Sequence, residues 1–260
     1  MLNLKEIRSF YPESLQKYEK FIYREYLQYK ILEIVFESPF ANKLSFLGGT
    51  CLRIVHNNNR FSEDIDFDNF NLTTNEFKQI TEFIERRLKL LGYNIEIRNI
   101  SKGAYHCYIK FPKLLFDEGL SGHKEEKILI QLDTEAHNYE YKPDQSILNK
   151  FDVFTQINST PESILLSQKF YAVINRKRNK GRDFFDIIFL LGHGVLPDYK
   201  YLNHKIGVNN PEELRSMILE KCSRINMKEM VIDVQPFLFN HSDAKRILLF
   251  AEYLKEVNLK

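Results

Sequence analysis

Asp64, Asp66 and Asp68 alternate with Ile65 and Phe67, and a strand sends alternate side chains to opposite faces, so three carboxylates share one surface. Like charges packed this closely repel unless a cation lies among them. Hard oxygen donors suit Mg²⁺ or Mn²⁺, and Mg²⁺ is usually held by one or two carboxylates together with substrate phosphates. Ahead of this run, Gly48 and Gly49 follow the apolar Leu44, Phe46 and Leu47. A glycine pair permits positive φ and lets backbone approach a ligand, and the N–H groups opening the helix that it starts attract anions such as phosphate. Residues 44–68 therefore read as strand, glycine turn, short helix, polar loop and strand. Gly48, Gly49 and Thr50 offer a phosphate cradle, and Asp64 and Asp66 a metal seat. Between them, Arg60 is placed to bind phosphate or to pair with Glu63, and Ser62 to bind phosphate or to turn the chain.

Further chemistry lies downstream. The run 127–134 is apolar on both faces until Asp133, the pattern of a buried strand that delivers a carboxylate at its end or caps the next turn with it. Lys169 shares a helix face with Leu165, Leu166, Val173 and Arg176, so its ammonium must snorkel to water or meet an anion. Five cations then fall within residues 176–182: Arg176, Lys177, Arg178, Lys180 and Arg182. They form a solvated loop at a helix end or a patch for a phosphate-rich partner. Asp183 and Asp186 stand one turn apart. An i,i+4 pair of Arg182 with Asp186 would be worth only about 0.2–0.5 kcal/mol. The wholly apolar run after Asp186 implies a buried helix, in which an entering acid needs a partner. The seven histidines show no i,i+4 pairing and read as structural.

These residues need a scaffold, and the periodicity supplies one. Helical spacing predicts a long packing helix over 12–37, and Thr73 with Glu76 forms a capping box that starts a helix running to Leu91 and closed by Gly92. Strands are expected at 93–100, 105–111, 127–134 and 151–156, with a polar connector over 136–145. Thr160-Pro161 is a strong helix start. Beyond it the strand pattern almost vanishes, and helices are expected to about 176, then at 182–192, 211–225 and 242–257. The chain reads as α+β: a domain over 1–157 with a mixed sheet, and a helical domain over 158–260.

The runs Gly48-Gly49-Thr50 and Arg60-Phe61-Ser62-Glu63-Asp64-Ile65-Asp66-Phe67 resemble the first motif of the AbiEii-type nucleotidyltransferases, toxins of abortive-infection toxin–antitoxin pairs. Lys169-Phe170-Tyr171-Ala172 and Arg182-Asp183-Phe184-Phe185-Asp186 resemble that family's second cluster. The likeness implies a nucleotidyltransferase-like sheet domain and a helical domain that completes the active site. It implies transfer of a nucleoside monophosphate from a nucleoside triphosphate, with Asp133 as third metal ligand beside Asp64 and Asp66. Lys169 would brace the triphosphate, with Arg60, Ser62, Arg176 and Arg182 also on the nucleotide. Asp183 or Asp186 would act near the acceptor. An RNA such as the tRNA acceptor end, and a cognate antitoxin, are the implied partners.

Composition bounds these expectations. The 260 residues suffice for one large or two small domains, and a net charge of +2 announces no global affinity for nucleic acid. Three widely spaced cysteines without a C-x-x-C pair argue for a reducing compartment and against structural zinc. No run approaches the ~18 apolar residues of a membrane span, so a cytoplasmic location is expected. Two rival functions remain. A non-catalytic nucleotide-binding regulator would need a broken metal site, whereas both carboxylates are intact. An antibiotic-modifying nucleotidyltransferase would need an acidic acceptor cleft, which the basic run 176–182 disfavours.

Overall fold

The computed structural model describes residues 2–260. The chain forms two units. The first takes the chain up to His56, with Phe61–Asn138 and Lys142–Ser159; the second takes Asn57–Arg60, Tyr139–Tyr141 and Thr160–Lys260.

The first unit contains α1 (Leu4–Ser9), α2 (Glu19–Phe36), β1 (Leu44–Leu47), α3 (Gly48–Ile54), β2 (Ile65–Asn69), α4 (Thr74–Leu90), β3 (Glu96–Lys102), β4 (Ala104–Phe111), α5 (Leu114–Asp117), β5 (Ile128–Glu135), β6 (Asp144–Lys150) and β7 (Val153–Ser159). The seven strands make one mixed sheet in the order β3-β4-β5-β2-β1-β7-β6. The pairs β2/β5 and β1/β7 are parallel and the others antiparallel. Register follows hydrophobic alternation, because a slip of one residue would turn every apolar side chain to the wrong face. One face carries Phe46, Ile65, Phe67, Cys107, Ile109, Ile130 and Leu132, all buried, beneath α2 and α4: Phe36 meets Phe67 edge-on, and Phe77 stacks on Tyr105. The other face, over β4, β5 and β2, keeps half-exposed polar groups: His106, Tyr108, Gln131, Asp133 and Asp66.

Glu25 ties this unit together. It is buried on α2, where Arg53 of α3 grips it through Nε at 2.8 Å and Nη2 at 3.1 Å, Lys150 Nζ lies 2.9 Å away, and the Tyr11 hydroxyl donates to it at 2.8 Å. Burial pushes its carboxyl up, but the two cations outweigh burial and hold it down at about 2.

The second unit is helical, with α6 (Glu162–Asn175), α7 (Gly181–Gly192), α8 (Tyr199–Ile206), α9 (Pro211–Ser223), α10 (Met227–Val234) and α11 (Phe250–Glu256), and a 3₁₀ stretch at His241–Leu249. Three departures from the sequence expectation have physical reasons. The long helix starts at Glu19 rather than Pro12, because the intervening apolar spacing is shared by a 3₁₀ turn over Glu13–Leu15, whose period of three is close to helical. β6 begins inside the expected connector, since this edge strand buries only Leu148 and its sequence does not alternate apolar with polar residues, Ile147 and Leu148 being adjacent. α8 and α10 lie outside the expected helices although each has a capping side chain, Asp198 accepting from Tyr201 N–H and Asn226 from Lys228 N–H. Among the described residues no helix is long and apolar enough to cross a membrane.

Candidate active site

The glycine turn and the aspartate strand meet directly. Gly48 has φ +80°, and a Cβ there would stand 2.4 Å from Asp66 Oδ2. Only glycine satisfies both the left-handed backbone and the contact. In β2, Asp66 is half-buried opposite Leu47 of β1 and Asp133 of β5, while Asp64, just before the strand, is exposed. Among the described residues no side chain caps α3, whose first N–H groups have no intrahelical acceptor and leave partial positive charge at that end. Thr50 is fully buried, and its hydroxyl donates to the backbone carbonyl of Asp64. Its side chain therefore fixes the approach to β2, and an anion at this helix end would meet backbone N–H groups.

The three acids of the strand have different surroundings. Asp68 is buried, and its Oδ1 accepts from the His137 N–H at 2.9 Å, securing the chain after β5. Asp133 stands beside Asp66 in register, but both its oxygens are engaged: Gln131 Nε2 donates at 2.8 and 3.0 Å, and His106 Nδ1 lies 2.8 Å from Oδ1. Among the described residues no group of three or more His, Cys, Asp or Glu side chains forms a metal ligand set. A pair of carboxylates such as Asp64 and Asp66 fits Mg²⁺, which takes one or two carboxylates and completes its octahedron with phosphate oxygens and water.

In the helical unit the second cluster is a buried ionic network. Asp186 is wholly inaccessible. The Arg60 guanidinium grips it with Nε and Nη2, both at 2.7 Å, Asn58 Nδ2 donates at 2.8 Å, and Lys169 Nζ lies 2.8 Å from Oδ2. Burial raises its carboxyl, but Arg60 and then Lys169 prevail and hold it at about 2. Lys169 also reaches Asp183 at 3.3 Å, and Arg176 Nη1 lies 2.8 Å from Asp183 Oδ2 without the alignment of a hydrogen bond. Arg60 is 1% exposed and pairs with Asp186, and Arg24 holds Glu63 at 2.8 Å. Asp186 of α7 thereby fastens residues 57–60 through Asn58 and Arg60. Those residues are also fastened by a bridge between Arg60 and Leu238 and by the Phe239 N–H bonding the Asn59 carbonyl. Arg182 half-buries its guanidinium over Phe237, 4.4 Å from the ring centre. Ser62 is half-buried, and Lys177, Arg178 and Lys180 are exposed.

Three further residues escape the sequence reading. Gln28, buried on α2, donates to the carbonyls of Ser62 and Glu63 at 3.1 and 2.9 Å, shaping the loop into β2. Its signal is an amide three residues from Glu25 inside an otherwise apolar helix face. Gly181 starts α7 where a Cβ would lie 1.9 Å from the Met230 carbonyl oxygen, and its N–H donates to Asp233 at 2.8 Å. His106 reads as one of the scattered histidines; its link to Asp133 depends on strand pairing that spacing alone does not reveal.

No curated protein matches this chain. Two solved Helicobacter pylori structures share its fold. One, JHP933, is 16% identical with a TM-score of 0.54, over 91% of this chain and 92% of that one. The other, described as a putative nucleotidyltransferase, is 17% identical with a TM-score of 0.55, over 91% and 95%. A family model described as "Nucleotidyl transferase AbiEii toxin, Type IV TA system" matches residues 30–240, which include the glycine turn, the aspartate strand and the ionic network. With most of its length matched, this chain belongs to the AbiEii nucleotidyl transferase toxin family of type IV toxin–antitoxin systems.

Proposed function

We propose that the protein transfers a nucleoside monophosphate from a nucleoside triphosphate to a hydroxyl group of RNA, in a reaction that depends on Mg²⁺ or Mn²⁺, and that this transfer is its toxic activity. The observation that carries the reading is the contact of Asp66 with Gly48, which brings a carboxylate against the N-terminus of α3 at a point where a side chain would not fit. Backbone N–H groups of Gly48, Gly49 and Thr50 bind phosphate oxygens there, and Asp64 and Asp66 hold the metal. When bound, the metal offsets charge on the transferring phosphoryl group. The protein's own contribution is positioning. Thr50 fixes Asp64 through its carbonyl, Gln28 fixes the loop before it, and the register of β1 with β2 sets Asp66 beside the glycine turn. Such preorganised electrostatics are the main source of catalysis in phosphoryl transfer.

Exposed Lys177, Arg178 and Lys180 favour a polyanionic acceptor, hence RNA over a cationic small molecule. A cognate antitoxin is the expected partner of a toxin of this family, and growth arrest that limits phage is the expected outcome of its release. The test is to incubate the protein with each α-labelled nucleoside triphosphate, Mg²⁺ and total RNA. Label should enter RNA, with pyrophosphate released. Label entering only protein or small molecules would overturn the RNA reading, and no transfer with any nucleotide would overturn the transferase reading.

A further inference from the structure

The sheet ends at β3 on one side and at β6 on the other, and the two edges differ. An edge strand presents unpaired N–H and C=O groups, which proteins guard with charged side chains, proline or a bulge. β3 carries exposed Glu96 and Arg98. β6 has none of these guards. It pairs with β7 in one unbroken register from Asp144 opposite Ser159 to Lys150 opposite Val153, so it has no bulge, and it contains no proline. Between its ends, residues 145–149 are all uncharged. Its one cation, Lys150, turns inward, where Nζ meets Glu25 at 2.9 Å and stands 3.9 Å from the centre of the Tyr11 ring. The turn into β7 is held as well: Phe151, at φ +60°, packs against the rings of Phe10, Tyr11, Tyr26 and Tyr29.

The outward face of this hairpin adds apolar surface. Ile147 is 64% exposed and Phe154 72% exposed. Phe154 is in register with Asn149, two residues from Ile147, so the two apolar side chains share a face as diagonal neighbours within reach of each other. A rigid, unguarded edge beside such a pair is a template for another strand.

The strand is its own complement. Laid antiparallel against a second copy about a two-fold axis at Ile147, it sets Ile147 against Ile147, Gln145 against Asn149, and exposed Asp144 against Lys150, whose side chain keeps 20% exposure beside Glu25. One Phe154 ring from each copy then flanks the isoleucine pair. Opposite charges face each other in this arrangement, whereas parallel pairing would set Asp144 against Asp144. The contact is isologous, so it closes at two chains and continues the hydrogen bonding of the sheet from one to the other.

We propose that β6 is a homodimer interface, in which two copies of this chain pair antiparallel through residues 144–150 with Ile147 and Phe154 as the apolar centre. The proposal is independent of nucleotidyl transfer.

The test is sedimentation equilibrium of the full chain, joined to disulfide trapping. The mass should approach twice that of the monomer by about 100 μM, as expected of a small interface. Ile147→Lys, which places a charge on the edge, should keep the protein monomeric at that concentration with an unchanged melting temperature. Phe154→Ser should weaken the dimer, and it stands in if the lysine variant does not fold. Trapping reads the register, since a disulfide needs Cα atoms within about 7 Å. Ile147→Cys should cross-link to its own copy under mild oxidation, because the native Cys51, Cys107 and Cys222 are all buried. Asn149→Cys alone should not, its two copies lying roughly 13 Å apart along the strands, but it should cross-link when mixed with Gln145→Cys. A monomer at about 100 μM would overturn the proposal and leave the edge to a strand of another protein. A dimer that Ile147→Lys leaves intact, or cross-linking of Asn149→Cys to itself in place of Ile147→Cys, would overturn it too.

Discussion

Asp186→Asn removes a single charge from the interior of the helical unit, and the structure sets the size of the effect. The carboxylate is 0% exposed and binds the Arg60 guanidinium through both oxygens, and Arg60 is itself 1% exposed. Taking away one partner of a buried pair leaves the other desolvated, at a cost of about 3–5 kcal/mol. A second route gives a similar figure. The carboxyl is held at about 2 against an ordinary 3.8, nearly two units, and each unit corresponds to about 1.4 kcal/mol, so the charged form contributes roughly 2–3 kcal/mol. Because the folded-state value is depressed, this contribution is complete above the ordinary value near 3.8 and is lost as pH falls through about 2. Urea unfolding followed by circular dichroism should therefore show Asp186→Asn destabilised by about 3 kcal/mol at pH 7, with the gap to wild type closing between about pH 4 and pH 2. Amide exchange should rise in residues 57–60 and in α7. Replacing both partners by apolar residues, Arg60→Met with Asp186→Leu, should cost less than Asp186→Asn alone. A loss below about 1 kcal/mol, or a gap independent of pH, would refute the buried-network reasoning.

Other outcomes follow from neighbouring contacts. Gly48→Ala places a methyl group against the Asp66 carboxylate at positive φ, so it should cost about 1–3 kcal/mol of stability and weaken Mg²⁺–nucleotide binding; unchanged calorimetric binding would contradict the cradle. Lys169→Ala should weaken binding of a nucleoside triphosphate more than of the monophosphate if its ammonium reaches the distal phosphates, whereas equal weakening of both would restrict Lys169 to its ion pairs with Asp183 and Asp186. Charge reversal of exposed Arg178 and Lys180 should lower RNA affinity and flatten the slope of log affinity against log salt, by roughly one unit for each phosphate that is no longer neutralised; an unchanged slope would return these residues to a solvated loop.

Local features are legible in the sequence. The alternation of Asp64, Asp66 and Asp68, the glycine pair and the capping box at Thr73 are short-range patterns, and the observed β2, Gly48 turn and α4 follow them. What escapes depends on partners distant in the chain. Arg60 and Asp186 are separated by 126 residues, and nothing near Arg60 distinguishes a phosphate ligand from a buried ion-pair partner. His106 and Asp133 meet because β4 and β5 pair in one register, which alternation restricts but does not determine. Gln28 and Glu25 disappear into a packing helix, since helical periodicity weighs apolar positions and is silent on which polar ones turn inward. Edge strand β6 is hidden for another reason: its two apolar residues, Ile147 and Leu148, are adjacent, so the sequence shows no period of two.

The most direct test of the central claim is nucleotidyl transfer by Asp66→Asn. Asparagine keeps the side chain's size beside Gly48 and removes the charge that would hold a divalent cation, so the variant should fold with a melting temperature equal to or above that of wild type. Mg²⁺ with nucleotide should no longer raise that temperature, and incorporation of labelled nucleoside monophosphate should vanish. A folded Asp66→Asn protein that transfers label at the wild-type rate would contradict the metal seat on β2, and with it the proposed catalysis.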